Sequence, residues 1–379
     1  MTIKKIAIIS PYAGSICSFR GDLIKKLVDR RINVTVLAPD YNNEIRADVR
    51  ALGAETKNYT LNRIGLNPIN EIWAIYSIYR ILVEIEPDAV LGYTHKPVIY
   101  GLIAARLAKI PLRYGLLEGL GFAFTPSKEF RFKRSLLRFI LCSCYRIVLQ
   151  NAKKVFFLNR DDLADFQHLR IIRFDQGVVL GGIGVNLTEW MPLPQKTQPI
   201  VFTLAARLLK EKGVVEYAKA ARWVKRKYHN VRFILLGALD SNPGAISKSM
   251  LLSWVNEGII EWPGYINDVK PYLAETSVFV LPSYYREGVP RSIQEAMALA
   301  RPIITTDLPG CKETVIDGIN GFLVAACNVE ALAHAMECFI IEPKLIERMG
   351  KESRRLAEER FNADMIDNKF IAEMVGAAQ

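Results

Sequence analysis

Two runs of one pattern, separated by a break rich in glycine and proline, constrain this chain more than any other feature. Ile6 to Ser10 is a short apolar run ending in a Pro-Tyr-Ala-Gly-Ser turn; a helical pattern follows from about Ser18 to Arg31, then a second apolar run from Val34 to Ala38. Strand, turn, helix, strand predicts a parallel sheet with crossover helices. The pattern continues with strands at Ala54–Tyr59, Ala89–Gly92, Leu112–Gly115 and Val155–Leu158, and helices at Pro68–Ile85 and Pro97–Ala108. Gly181–Pro194, GGIGVNLTEWMPLP, then reads as a linker. Beyond it the alternation restarts at Ile200–Ala205, Val231–Leu236, Ile259–Trp262 and Val278–Leu281, and closes with helices at Val329–Ile341, Pro343–Glu359 and Ala363–Gly376. The expected class is α/β with two parallel-sheet domains, and 379 residues suffice for two cores.

Charge is divided unequally between the halves. Residues 1–190 hold 27 Lys and Arg against 17 Asp and Glu, and residues 191–379 hold 23 against 22, so the first half carries +10 of the net +11. An anionic partner for that half is implied: nucleic acid, acidic lipid or a phosphorylated substrate. No nucleic-acid motif accompanies the charge, so nucleic acid is not expected. The six cysteines are scattered and no His/Cys cluster has metal-ligand spacing, which predicts a reduced, cytoplasmic protein without a metal site. The apolar run near the N-terminus is too short for a signal-peptide core, and no window approaches twenty apolar residues, so no transmembrane helix is expected.

Between Lys128 and Lys154 stand eight basic residues, one acid and many large apolar side chains. A basic amphipathic helix lies readily in a headgroup layer. Phe130, Arg131, Phe132, Lys133 and Arg134 are read as membrane-facing, and the apolar positions of Ile140–Leu149 as packing on the sheet.

Ligands of open α/β sheets bind beyond the carboxyl ends of the strands. In the first half those loops hold Gly14 and Ser15, then His95 and Lys96, then Glu118 between glycine-rich neighbours. The Gly14 loop lacks the GxGxxG fingerprint of a dinucleotide site. In the second half, Arg207 and Lys212 flank a loop that enters a helix, where two cations and a helix terminus suit a diphosphate. Later, YREGVPRSIQEAMALA at Tyr285–Ala300 sets Glu287 in a loop and Glu295 on a helix, with Pro290 in the first turn and Ser292 as a candidate cap. Carboxylates accept hydroxyl hydrogen bonds, and free amides at a helix start favour phosphate, a combination suited to a nucleotide sugar.

RLLKEKGV at Arg207–Val214, PGY at Pro263–Tyr265, and the stretch from Leu281 to Val324 resemble the nucleotide-sugar half of family 4 glycosyltransferases. GVNLTEWMP resembles the start of that family's interdomain linker, with Asn186 where aspartate is commoner. YAGSICSFR, YTHKP and LLEGLGF further resemble bacterial members that extend sugars on undecaprenyl diphosphate, in particular those moving N-acetylgalactosamine to lipid-linked bacillosamine.

The resemblance implies a GT-B fold: two facing Rossmann-like domains, 1–190 for acceptor and membrane and 191–360 for the donor, with a helix at 361–379 crossing back. It implies retention of anomeric configuration with neither metal nor cofactor, a UDP-sugar as co-substrate, and a polyprenyl diphosphate-linked saccharide as acceptor at the acidic inner membrane surface. Arg207 and Lys212 would hold the donor diphosphate, and Glu295 the ribose. Glu287 with Gly288 and Val289 would hold the transferred sugar, which His95 would reach from the other domain. Tyr265 would border the donor, Gly14 and Ser15 the phosphates or the acceptor, and Lys96 and Glu118 the acceptor. Competing readings are a related transferase with a soluble acceptor, a nucleotide-sugar epimerase, and a binding module without activity.

Overall fold

The computed structural model describes residues 2–62, 67–125, 131–240, 242 and 244–376, without the side chains of 131–133. It divides into two compact units: Met1–Ala123, Lys128–Ile183 and Ala363–Gln379 form the first, and Gly184–Asn362 with Phe124–Ser127 the second.

In chain order the first unit runs β1 (Lys5–Ile9), α1 (Ile16–Asp29), β2 (Asn33–Ala38), α2 (Asn43–Ala51), β3 (Glu55–Asn58), α3 (Pro68–Ile85), β4 (Ala89–Tyr93), α4 (His95–Leu107), β5 (Leu112–Leu117), α5 (Arg131–Leu149), β6 (Lys154–Phe157), α6 (Arg160–His168) and β7 (Gly177–Val179). The second holds β8 (Ile200–Ala205), α7 (Val214–Lys225), β9 (Val231–Leu236), α8 (Lys248–Asn256), β10 (Glu261–Gly264), α9 (Lys270–Glu275), β11 (Val278–Leu281), α10 (Arg291–Ala298), β12 (Ile303–Thr306), β13 (Gly321–Val324), α11 (Val329–Ile341) and α12 (Lys344–Arg360). A last helix, α13 (Ala363–Val375), returns to the first unit.

The first sheet has seven strands in the order β3-β2-β1-β4-β5-β6-β7, the second six in the order β10-β9-β8-β11-β12-β13, and the strand pairs are parallel. The order reverses beside β1 and again beside β8, the arrangement of a Rossmann-like sheet, whose ligands sit at the carboxyl edge near that reversal. Helices cover both faces, so strands such as β8 read as continuous apolar runs, buried at each residue. Asparagine caps set several helix starts: Asn42, Asn67 and Asn159 accept backbone N–H groups in the first turns of α2, α3 and α6.

Helix α13 joins the first unit through its own contacts. Tyr114 Oη donates to Met374 O at 2.6 Å, Phe370 meets Phe156 edge-on at 4.3 Å, and Lys26 Nζ lies 3.3 Å from Asp367 Oδ2. The strands at Gly177–Val179, Ile303–Thr306 and Gly321–Val324 are not among those read from the sequence. Pro290 itself caps α10, with no side-chain cap bond, so Ser292 is an ordinary first-turn residue and not the cap.

Candidate active site

In the second unit the chain leaves β8 at Ala205, passes Arg207, and makes one 3-10 turn at Lys210–Lys212 before α7. Gly213 makes this geometry possible: its φ is +75°, and a Cβ there would lie 2.1 Å from Pro282 O. Only glycine permits so close an approach of the loop to the end of β11. The fold thereby seats Lys212 beside the loop after β11.

Lys212 Nζ stands 2.5 Å from Glu287 Oε1, with both side chains largely buried. Glu287 Oε1 also accepts the Ser283 hydroxyl at 2.7 Å, and the Lys212 ammonium lies 5.3 Å from the Tyr285 ring centroid. Tyr284 and Tyr285 N–H groups donate to Glu211 O, fastening the two loops together. Gly310 closes over them, since a Cβ there would lie 2.2 Å from Gly288 O. Val289 is buried behind Glu287, at the start of α10. One turn into that helix, Arg291 Nε donates to Glu295 Oε1 at 2.8 Å, and burial pushes the Glu295 carboxyl above its usual range despite that cation. Arg207 is more than half exposed and 3.9 Å from Asp240, leaving its guanidinium facing solvent. Tyr265, just beyond β10, is 71% exposed.

In the first unit Gly14 lies exposed in the 3-10 turn that leads into α1, and Ser15 is buried with its hydroxyl donating to Tyr12 O at 3.0 Å. Glu118 is ion-paired to Arg20, whose guanidinium carbon lies 5.0 Å from the Tyr93 ring centroid; Tyr93 Oη donates to Ser10 Oγ at 2.6 Å. Lys96 donates to Glu71 Oε1 and to Asn62 O, each at 2.7 Å. Glu118 and Lys96 are therefore each tied to neighbours within the first unit.

His95 opens α4. Its Nδ1 is 2.5 Å from Tyr145 Oη, and burial pushes the imidazole down to about 4, so the ring is neutral near pH 7. Just before it, Thr94 holds φ 67° and ψ 175°, a backbone region that residues other than glycine rarely enter.

Part of the expected membrane face needs correction. Arg134 is buried, with its guanidinium 3.9 Å from the Phe122 ring centroid, because the first turns of α5 pack it inward. Phe130 and the side chains of Arg131, Phe132 and Lys133 lie outside the described residues. The apolar residues that α5 turns outward are Leu136, Phe139, Ile140 and Ile147, so Ile140 and Ile147 do not pack on the sheet as expected. Ser283, Glu211, Arg20 and Tyr145 escaped the sequence reading, since their positions depend on which loops the sheets bring together. A cavity of about 430 Å³ lined by Lys5, Asn33, Glu55 and Glu84 opens at the amino ends of the first strands, away from the residues above.

Residues 189–356 match the model of the family described as glycosyl transferases group 1, and residues 5–159 match that of glycosyl transferase 4-like proteins. The chain belongs to the glycosyltransferases. Arg207, Lys212, Glu287 and Glu295 fall in the group 1 match, and Gly14, His95 and Glu118 in the 4-like match.

The chain is similar to an N,N'-diacetylbacillosaminyl-diphospho-undecaprenol alpha-1,3-N-acetylgalactosaminyltransferase of Campylobacter jejuni, 29% identical with 97% of each chain covered. It is also similar to a UDP-Gal:alpha-D-GlcNAc-diphosphoundecaprenol alpha-1,3-galactosyltransferase of Escherichia coli, 24% identical over 82% of each. Among solved structures, Anabaena HepE in complex with UDP and glucose superposes with a TM-score of 0.76 at 17% identity, covering 99% of this chain and 100% of that one. Sucrose-phosphate synthase from Thermosynechococcus elongatus gives 0.80 at 16%, covering 97% of each. The glycosyltransferase fold is thus GT-B, with a Rossmann-like parallel sheet in each unit.

Proposed function

We propose that this glycosyltransferase moves a hexose or N-acetylhexosamine, favoured as N-acetylgalactosamine or N-acetylglucosamine, from a UDP-sugar to a sugar linked through diphosphate to undecaprenol. Such a step belongs to bacterial surface-glycan or glycoprotein-glycan assembly. The observation that carries the reading is the buried Lys212–Glu287 pair at the strand ends of the second unit, with the exposed Arg207 in the same loop as Lys212. It offers cations for a diphosphate and a carboxylate for hydroxyls within one pair of loops. The Campylobacter and Escherichia relatives, whose names specify undecaprenyl diphosphate-linked acceptors, support the acceptor class.

In this reading Arg207 and Lys212 neutralise the diphosphate as it departs. Glu287, with the Gly288 and Val289 amides, holds hydroxyls of the moving sugar; Glu295 accepts from the ribose, and Tyr265 borders the donor. Gly14 and Ser15 border phosphate or acceptor, Lys96 and Glu118 shape the acceptor side, and His95 meets a sugar hydroxyl. The anomeric carbon loses its bond to the UDP oxygen, which leaves with the bonding pair. The acceptor oxygen bonds on the same face, and its proton passes to the departing diphosphate, so configuration is retained. The two cations take the charge that a metal carries in other transferases, and no metal is required.

The acceptor's lipid implies work at an acidic bilayer on the cytoplasmic side. Helix α5 turns Leu136, Phe139, Ile140 and Ile147 outward beside the exposed Arg138 and Arg146, a basic amphipathic face. Helix α3 exposes Ile69, Ile72, Trp73 and Tyr76 at helical spacing, and α4 packs against both helices. No helix among the described residues is long and apolar enough to cross a membrane.

The test incubates the full chain with a panel of UDP-sugars and short-chain polyprenyl diphosphate-linked sugars, with and without EDTA, and follows product mass and anomeric coupling. Transfer to the lipid-linked acceptor with an unchanged anomer, insensitive to EDTA, is the expected result. Transfer only to soluble sugars, or interconversion of the UDP-sugar alone, would sink it.

A further inference from the structure

We infer that Tyr145 is a positioning residue for the transfer: it holds His95 as the Nε2–H tautomer, so that the ring presents a hydrogen-bond donor to a sugar hydroxyl. The inference rests on the reading above, in which His95 meets a sugar.

Tyr145 is fully buried on α5, its ring 5.2 Å from that of Phe166, and its hydroxyl reaches His95 Nδ1 at 2.5 Å. Among the described residues no other group hydrogen-bonds to that hydroxyl or to His95 Nε2. Burial raises the phenol well above its ordinary range, so it keeps its proton, and burial keeps the imidazole neutral. Two arrangements are then open. If Nδ1 carried the hydrogen and donated it, the phenol hydrogen, on a fully buried side chain, would have no hydrogen-bond acceptor among the described residues, and buried donors are rarely left so. If the phenol donates, its hydrogen and Nδ1 are both satisfied and the ring proton sits on Nε2, on a residue that, unlike Tyr145, is only partly buried.

The backbone supplies the other half of the constraint. Thr94, in its rare conformation, is held by its N–H donating to Leu116 O at 3.0 Å. Gly92 lets the first turn of α4 fold back over β4, since a Cβ there would lie 2.5 Å from Pro97 O. A strained residue before His95 and a hydrogen bond at its Nδ1 together fix the ring, leaving Nε2 to interact with a ligand. Strain kept in this way marks sites where orientation matters.

The tautomer is read in the unsubstituted full chain by ¹⁵N NMR of the imidazole nitrogens, with the His95 signals assigned through His95→Gln. A protonated Nε2 and an unprotonated Nδ1 are expected. Tyr145→Phe keeps the ring and removes the hydroxyl. It should turn the His95 signals into a tautomer mixture and lower kcat roughly tenfold, the scale of one orienting hydrogen bond. With UDP-N-acetylgalactosamine and a short-chain polyprenyl diphosphate-linked N-acetylated sugar as probes, KM for the donor should stay within twofold. A proton on Nδ1 in the unsubstituted protein would overturn the inference. So would full-rate transfer by Tyr145→Phe. Unaltered transfer by His95→Gln would instead overturn the role given to His95, and the inference with it, whatever its tautomer.

Discussion

Lys212 and Glu287 form a buried ion pair, Nζ to Oε1 at 2.5 Å, across two loops separated by three strands in sequence. Such a pair holds its partners in place before any ligand arrives, and removing one member leaves the other charged and buried. Lys212→Ala is therefore expected to lower stability by roughly 3 kcal/mol and transfer at least a hundredfold. The double variant Lys212→Ala with Glu287→Ala should recover part of the stability and none of the activity. Chemical denaturation and a transfer assay on the three proteins decide this; additive stability losses would show that the pair is not coupled.

Glu295 acts, in the proposed reading, on the nucleotide and away from the bond that breaks. Interactions present in both the ground state and the transition state change KM more than kcat. Glu295→Gln should raise KM for the UDP-sugar roughly tenfold, about the worth of a hydrogen bond to a charged group, with kcat within threefold. Initial-rate kinetics over donor concentration would show it, and a loss confined to kcat would move Glu295 to the reacting centre.

Asp367 links α13 to Lys26 on α1, and burial raises its carboxyl from 3.8 to about 6. A group that binds its proton more tightly when folded contributes stability that is fully present below pH 3.8 and lost as pH rises through about 6. Asp367→Asn, which mimics the protonated form, should therefore gain on the native chain between pH 4 and pH 7 by roughly 2 kcal/mol. Denaturation curves for the two proteins across that range test the sign. A gap that stays constant with pH would assign the shift elsewhere.

The outward faces of α3 and α5 are expected to bind acidic vesicles. Burying a large apolar side chain contributes roughly 2 kcal/mol, so Phe139→Ser with Ile147→Ser should weaken binding to phosphatidylglycerol vesicles by at least tenfold. Trp73→Ser with Ile72→Ser should do the same if both helices touch the bilayer. Vesicle co-sedimentation at low and high salt separates the apolar and ionic parts. Binding unchanged by either pair would leave these faces without a lipid role.

The sequence alone determined the alternation of strands and helices, because periodicity is a local property. The boundaries of α3, read as Pro68–Ile85, coincide with the structure, since Asn67 caps and Pro68 opens that helix within its own sequence. The sequence also brought out Arg207, Lys212, Glu287 and Glu295, whose loops carry a recognisable motif. Tertiary structure decided what each of them touches. That Lys212 meets Glu287 depends on β8 and β11 being neighbours, and that Glu118 is neutralised by Arg20 depends on α1 lying near the end of β5. Arg134 reads as a surface cation in the sequence and is buried, because the face a helix turns inward is set by its neighbours. Tyr145 was one apolar position among many in a basic helix; only the packing of α5 against α4 brings its hydroxyl to His95.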